Sequence, residues 1–256
     1  MIDYERHRVY SKLPVFKRRV NHSLEVIEKA MSIHGPWAVS CSGGKDSVAM
    51  LDLCLTTGWH GPLFHFYYDE TPSANTRMVR GLAEKHCLDL HILKVPGAFD
   101  VYRDVGHFFV HPITEVEKKA VNKMLNGYKK IINQYINAQG WTGQFIGLRK
   151  AENRRTRGIM LKKKGYIYQT SNRDTWAACP LANWRTEDVW AYTLSRNLPY
   201  LKVYDKADTP EQERSEITWL AAESLWRHGM AARLRIENPK EFYRLADIFP
   251  EMRYFV

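Results

Sequence analysis

Six consecutive residues, Ser42-Gly43-Gly44-Lys45-Asp46-Ser47, place two glycines, a lysine, an acid and two hydroxyls between the run Trp37-Ala-Val-Ser-Cys41 and a second apolar run beginning at Val48. Glycines let the backbone turn sharply and come close to a ligand. If a helix follows, its first amides point into the same concavity with partial positive charge, and an anion is the natural occupant. Lys45 adds a full charge, and Ser42 and Ser47 add hydroxyl donors. The spacing is not that of a Walker A loop, which has Gly five residues before the Gly-Lys pair and Ser or Thr after the Lys; here Val39 and Asp46 stand at those positions.

A second group that can hold oxyanions lies a hundred residues on. From Arg149 to Lys164 there are eight Lys or Arg and a single Glu, Glu152. Arginine forks match sulfate or phosphate oxygens bidentately, so Arg149, Arg154, Arg155 and Arg157 are candidates for an oxyanion substrate or the distal phosphates of a nucleotide. Lys162, Lys163 and Lys164 read instead as a solvated charge run, and Glu152 as a carboxylate that orients an arginine. Asp69 closes an apolar run; a ribose, a Mg²⁺ ion and a helix cap all suit it. Asp46 is divided in the same way between metal and local capping. His65 reads as packed within a strand, and Trp184 and Trp190 as core.

These groups need elements to hold them. Pro14 to His34 carries Val20, Leu24, Ile27 and Met31 at helical spacing and ends at Gly35-Pro36. Trp37–Cys41 predicts a buried strand, Lys45–Thr57 a helix, Leu63–Asp69 a strand, Asn75–His86 a helix and Leu88–Val95 an alternating strand. This order argues for an α/β, Rossmann-like parallel sheet covered by helices. Phe145–Arg149 reads as a further strand, so that Arg149 shares a sheet edge with the loop. Thr186–Arg196 reads as a helix with Thr186 as its N-cap. Three regions follow: a basic arm and helix over residues 1–34; a nucleotide-binding α/β domain over 35–205 with a helical insertion at about 98–138, in which Glu115–Ile136 is helical; and a helical C-terminal extension over 206–256, with helices near 211–228 and 239–248.

The loop, in its strand–loop–helix setting, resembles the PP-loop, S-G-G-x-D-S, of the N-type ATP pyrophosphatases, or adenine nucleotide alpha hydrolases. Two later stretches, F-I-G-L-R149-K-A-E152-N-R154-R155 and C-P180-L-A-N-W184-R-T-E-D188-V-W190, narrow the likeness to the family of phosphoadenylylsulfate (PAPS) reductases and the small subunit of ATP sulfurylase. The resemblance implies an adenine nucleotide, ATP or PAPS, with Mg²⁺, and a sulfate-like anion. By the resemblance, residues 42–47 would hold the β and γ phosphates; together with the reading of the residues above, the candidates are Ser42, Gly43, Gly44, Lys45, Asp46, Ser47, Asp69, Arg154, Arg155 and Arg157 for binding, Lys45 and Arg149 for catalysis, and Asp46 for metal contact. The resemblance also implies an enzyme that transfers adenylyl groups or sulfur. The family's reductases keep a cysteine near the C-terminus, whereas the last cysteine here is Cys179. They also often lose the Lys-Asp of the loop, which is intact here. Both departures lean toward adenylyl transfer. A PAPS reductase using an external thiol, a nucleic-acid sulfur-modifying enzyme and a non-catalytic nucleotide-binding regulator are the competing readings. Small subunits of ATP sulfurylase work with a separate GTPase.

Composition agrees with a soluble, cytoplasmic protein: 256 residues, 45% hydrophobic, with no apolar run of membrane-spanning length and no signal-peptide pattern at the start. The net charge of +10 favours anionic partners and admits nucleic acid or a partner protein. Cys41, Cys54, Cys87 and Cys179 form no C-x-x-C pair, so no iron–sulfur cluster is expected. The sequence leaves the oligomeric state open.

Overall fold

Trp37-Ala-Val-Ser40 forms the strand β1, buried at every residue, as befits a short run of apolar and small side chains covered on both faces. The structure, a computed structural model, describes residues 2–68, 71, 73–109, 112–152, 154–170, 175–206, 232, 235–236 and 239–255. β1 sits near the centre of a six-stranded sheet. Its flanks are β2 (Leu63–Tyr67), with Val39 opposite Leu63, and β4 (Gly143–Phe145), with Val39 opposite Phe145. Beyond β2 lies β3 (Leu90–Lys94), and beyond β4 lie β6 (Trp176–Ala178) and β5 (Ile167–Gln169), giving the order β3-β2-β1-β4-β6-β5. β1, β2, β4 and β6 run parallel, while β5 pairs antiparallel with β6. The expected parallel sheet therefore gains an antiparallel edge. From β1 the chain winds one way to β2 and β3 and the other way to β4 and β6, so the strand order reverses between β1 and β4. Open α/β sheets bind ligands at such a switch point.

The helices are α1 (Tyr4–Tyr10), α2 (Pro14–Met31), α3 (Lys45–Thr56), α4 (Ser73–Lys85), α5 (Ala98–Val105), α6 (Glu115–Ala138), α7 (Ile159–Lys164), α8 (Thr186–Ser195) and, after a span not described, α9 (Pro239–Ile248). α3 follows β1 directly and is apolar around most of its circumference. It buries Val48, Ala49, Met50, Leu51, Leu53 and Cys54, the pattern of a helix enclosed by other elements. α2 starts on Pro14, whose missing amide costs nothing at that position. Among the described residues, no helix is long and apolar enough to cross a membrane.

The chain packs as two units. Residues 1–66, 73–93 and 133–210 form the first; residues 67–72, 94–132 and 211–256 form the second. The first has its core in α2, β1, α3, β2, β4 and α8, with Ile27, Val39, Leu51, Leu63, Phe145 and Trp184 each at most 1% exposed. The second is built on Phe99, Tyr102, Phe242, Leu245 and Phe249 of α5, α9 and the turn after it. In this second unit α6 opens with a capping box: Glu117 N donates to Thr114 Oγ1 (3.2 Å), and Thr114 N donates to the Glu117 carboxylate (2.8 Å). Ile113 N and His107 Nε2 reach the same carboxylate at 2.7 and 2.9 Å. These hydrogen bonds, His107's first, hold the Glu117 carboxyl down at about 2 against an ordinary 4.5.

Several expectations change. β4 ends at Phe145, so Ile146–Arg149 leaves the sheet as a loop and Arg149 stands beyond the strand. β2 ends at Tyr67, and Asp69 lies outside the described residues, as does the helix expected at 211–228. Thr186 is the first helical residue of α8 rather than its cap. The residue before it, Arg185, is extended, and its amide donates to Asp188 Oδ2 at 2.6 Å. Residues 4–10, within the expected basic arm, form α1.

Candidate functional site: the loop at the switch point

The loop after β1 turns on Gly43, whose φ of +79° is the left-handed region that glycine tolerates best. A side chain there would also meet the neighbouring backbone: a Cβ on Gly43 would lie 2.6 Å from the Asn75 carbonyl oxygen on α4. Asn75, 2% exposed, completes the lock by donating from Nδ2 to the Ser42 carbonyl at 3.2 Å. Gly44 has φ −79° and ψ 157°, extended backbone that any residue adopts, so the sharp turn rests on Gly43 alone. Gly44 is the N-cap of α3, and its carbonyl accepts from Val48 N at 3.0 Å. The amides of Lys45, Asp46 and Ser47 precede the first intrahelical bond and have no partner within the helix.

Ser47 fastens the loop from inside. It is 6% exposed, donates its one proton to the Gly44 carbonyl at 2.8 Å and accepts from Ser42 N at 3.1 Å. Cys41 Sγ reaches it at 3.6 Å. In place of the free hydroxyl donor expected at Ser47, the structure has a proton already committed. Ser42 is the exposed hydroxyl of the pair. Burial pushes the Cys41 thiol up despite its hydrogen bonds, so it is not an activated nucleophile.

Behind the loop, charges of alternating sign link the two edges of the switch point. Lys45 Nζ is 3.0 Å from Asp46 Oδ2. Asp46 Oδ1 pairs closely with Arg149 Nε. Arg149 Nη2 is 3.5 Å from Glu152 Oε1, and Glu152 Oε2 pairs closely with Arg157 Nη1. Arg149 Nη1 also donates to Thr186 Oγ1 at 3.2 Å. Among the described residues the sequence is Lys⁺, Asp⁻, Arg⁺, Glu⁻, Arg⁺, with a cation at both ends. Arg149 is 1% exposed and Lys45 2%, a depth at which charge is stable only when paired. The Arg149–Asp46 contact is an ion pair and not a directed hydrogen bond: neither Nε nor Oδ1 finds a well-aligned partner among the described residues. Burial alone would raise the Asp46 carboxyl; Lys45 and Arg149 outweigh it and hold the carboxyl below its ordinary range.

Loop and arginine tract, far apart in sequence, thus meet through Asp46 and Arg149. The post-β4 loop lies against the start of α3: a Cβ added at Gly147 would stand in ordinary contact, 3.4 Å from the Asp46 backbone. Of the other arginines, Arg157 joins the charge chain, Arg155 is exposed, and Arg154 belongs to a turn of π-helix. Lys162, Lys163 and Lys164 are exposed, as expected. Beside this tract a cleft of about 290 Å³ is lined by Lys150, Gly158, Asn183 and Arg185 among others. Asp46, the expected Mg²⁺ ligand, faces two cations, and the described residues contain no group of three His, Cys, Asp or Glu side chains that could hold a metal. A divalent cation at Asp46 would compete with Lys45 and Arg149 for the carboxylate, so Asp46 as arranged here does not fit the role of a Mg²⁺ ligand.

Three participants are invisible as such in the sequence. Asn75 reads there only as a helix residue, and Thr186 as a cap. Tyr204, on the 3-10 turn Lys202–Lys206, is 1% exposed and covers Lys45. Its hydroxyl accepts from Lys45 N at 3.3 Å, and Lys45 Nζ lies 5.2 Å from its ring centroid. Asp188 of the D-V-W stretch is wholly buried and serves the scaffold: Arg19 Nη1 reaches its two oxygens at 2.7 and 2.5 Å, and Tyr10 Oη donates at 2.9 Å. His65 is packed as expected, bonded to the Cys41 carbonyl at 2.8 Å and Thr76 Oγ1 at 3.0 Å.

The family model of the phosphoadenosine phosphosulfate reductase domain matches residues 36–248. Sulfate adenylyltransferase subunit 2 of Aliivibrio fischeri strain MJ11 is 23% identical over 215 residues, covering 75% of this chain and 68% of that protein. Among solved structures, phosphoadenylyl-sulfate reductase from Candida auris, in a phosphate complex, aligns with a TM-score of 0.52 and 18% identity over 72% of this chain and 84% of that one. FAD synthetase from yeast, in complex with FAD, aligns with a TM-score of 0.53 and 17% identity over 79% and 69%. At these identities the structural likeness shows a shared α/β fold.

Proposed function

The chain belongs to the phosphoadenosine phosphosulfate reductase domain family, and from that premise we propose that it binds ATP at Ser42–Ser47 and transfers the adenylyl group to an anionic acceptor, sulfate first among them. An acceptor oxygen attacks the α phosphorus, the bond from that phosphorus to the bridging oxygen of the β phosphate breaks, and pyrophosphate leaves with the electron pair. No electron is exchanged with an outside reductant. The catalytic work is positioning and stabilisation of negative charge. The amides at the start of α3 and Lys45 would meet the β and γ phosphates. Arg149 holds Asp46 and through it Lys45, and Arg154, Arg155 and Arg157 supply positive charge for the acceptor. Mg²⁺ entering with the nucleotide would be held mainly by phosphate oxygens and water, its usual habit in nucleotide sites.

The observation that carries this reading is the five-charge chain from Lys45 to Arg157. It runs from the loop through Asp46, Arg149 and Glu152 to the arginine tract, and so brings both groups of cations to one place. A thiol-based reductase finds less support near the loop, because burial pushes up the thiols of Cys41 and Cys54, and that of Cys179 to about 12. The curated relatives are named as a subunit, so a second subunit belongs in the proposal.

The test is pyrophosphate release by the purified chain with ATP, across sulfate concentrations, alone and with a second subunit from such an enzyme, with ATP binding followed by calorimetry. Release that rises with sulfate supports adenylyl transfer. ATP binding without sulfate-dependent release in either condition overturns it, and sulfite release from PAPS with added thiol would assign the reductase reaction instead.

A further inference from the structure

The first amide of α3 already meets a protein oxygen. Lys45 N, the first of the orphan amides of α3, donates to Tyr204 Oη at 3.3 Å, while the ring of the same tyrosine covers the Lys45 ammonium at 5.2 Å. One side chain therefore engages both the amide and the charge that the loop offers an anion. The contact is built in. Tyr204 is 1% exposed, and its ring packs edge-on against Trp190, itself 3% exposed, at 5.6 Å between centroids. Trp190 in turn packs edge-on against Tyr200 at 5.2 Å, and Tyr200 Oη donates to Asp205 Oδ1 at 3.1 Å. The turn Lys202–Lys206 is thereby moored at Tyr200, Tyr204 and Asp205, beside α8 and over the loop.

We propose that Tyr204 is an internal competitor for the anion position of the loop, so that a phosphate-bearing ligand binds by displacing the Tyr204 hydroxyl from Lys45 N and its ring from the Lys45 ammonium. The proposal rests on the reading of Ser42–Ser47 as the nucleotide loop and adds its regulation. A phenol oxygen is a neutral acceptor, whereas a phosphate oxygen is charged and makes the stronger bond to the same amide. A cation over an aromatic face is likewise held less firmly than one paired with phosphate. The exchange is thus favourable for a triphosphate and poor for neutral molecules, which are kept out of the loop.

The test compares the full-length wild type with Tyr204→Phe, which removes the hydroxyl and keeps the ring volume, and with Tyr204→Leu, which removes both contacts. ATP affinity is measured by calorimetry, and amide hydrogen exchange is followed in residues 42–47 and 202–206 with and without ATP. A competitor worth one hydrogen bond makes Tyr204→Phe bind ATP roughly three- to tenfold tighter. In the wild type, ATP should slow exchange in 42–47 and speed it in 202–206. ATP binding by Tyr204→Phe but not by wild type would support the same conclusion more strongly. Protection of 42–47 with no change in 202–206, or equal or weaker ATP binding by both folded variants, overturns the competitor and leaves the nucleotide loop standing. If ATP protects 42–47 in none of the three proteins, the nucleotide loop is overturned and the competitor with it. Exchange without ligand checks the variants themselves, since Tyr204→Phe should speed exchange at Lys45 while the core of α3 stays protected.

Discussion

Arg149 holds Asp46 through Nε while its terminal nitrogens reach Thr186 and Glu152, so one buried guanidinium joins the loops that follow β1 and β4 to the start of α8. Removing Asp46 from that junction takes away the carboxylate that lies between Lys45 and Arg149. Asp46→Asn should cost about 3 kcal/mol of stability at neutral pH, the scale for breaking a buried pair. Because the folded carboxyl lies below its unfolded value of 3.8, the stabilisation is complete above that value and fades as pH falls through it toward the folded pKa. Urea unfolding at pH 7 and pH 3 should show a large gap between wild type and variant at the first and a smaller one at the second.

Lys45→Met keeps most of the side-chain volume under Tyr204 and removes the charge. ATP affinity should fall by about 1.5–3 kcal/mol, the worth of a hydrogen bond to a charged group. Calorimetry on the folded variant is the measurement, and an unchanged affinity refutes the phosphate role of Lys45.

Arg149→Lys preserves charge but cannot reach Asp46, Thr186 and Glu152 at once, because an ammonium has no planar fork. Pyrophosphate release should drop roughly tenfold or more, on the scale of one lost charge-assisted bond, while Lys163→Ala, on the exposed run, should stay near wild type. Equal activity of the two variants would show that the three-way clamp is dispensable.

Gly43→Ala and Gly58→Ala separate backbone strain from contact. Both residues have positive φ, +79° and +78°, but only Gly43 faces a neighbour: an added Cβ would stand 2.6 Å from Asn75 O, whereas one at Gly58 would meet nothing within 4 Å. Gly58→Ala should lose about 1–2 kcal/mol from the left-handed conformation. Gly43→Ala should lose more, and ATP binding with it, because the loop and α4 must separate. Similar losses in denaturant titrations would mean that Asn75 yields easily.

In the second unit, Glu117→Gln replaces a charged acceptor of several hydrogen bonds by a neutral one and should cost about 1–2 kcal/mol at neutral pH. The folded carboxyl sits at about 2 against 4.5 unfolded. Its contribution is full above about pH 5 and disappears as pH drops from 4.5 toward 2. Circular dichroism melts along that pH series should converge for wild type and variant at the acid end.

The strand–glycine–helix run from Trp37 to Leu51 is legible in the sequence because pattern, turn chemistry and charge agree within fifteen residues. The parallel direction of the strands follows from the same alternation of strand and helix, whereas their order in the sheet does not. α1 is not legible: it buries no residue and is attached by Tyr4 to Tyr200 and Arg6 to Glu187, which no local pattern reveals. β5 and β6 are three residues each, too short to show a period. The capping box at Thr114-x-x-Glu117 is present in the sequence as a helix-start signal. Arg149 stands out as a site residue but reads as the end of a strand, because Phe145-Ile-Gly-Leu is apolar although the chain leaves the sheet after Phe145. Tyr204 and Asn75 contribute through contacts distant in sequence, and only the folded chain brings them to the loop.

The Arg19–Asp188 pair bears on where a stable fragment could begin. The family match starts at residue 36, yet α1 and α2 lie before it and deliver Tyr10 and Arg19 to a wholly buried carboxylate on α8. Ser23, on the same helix as Arg19, accepts from Trp184 Nε1 at 2.8 Å, and Phe16, Ile27 and Ala30 fill the core beneath it. A chain cut at the homology boundary would strip the cover from α3, bare an apolar surface and strand Asp188 without its cation. The span matched by the family model is therefore smaller than the body that packs together, and α1 and α2 are an integral wall of the first unit.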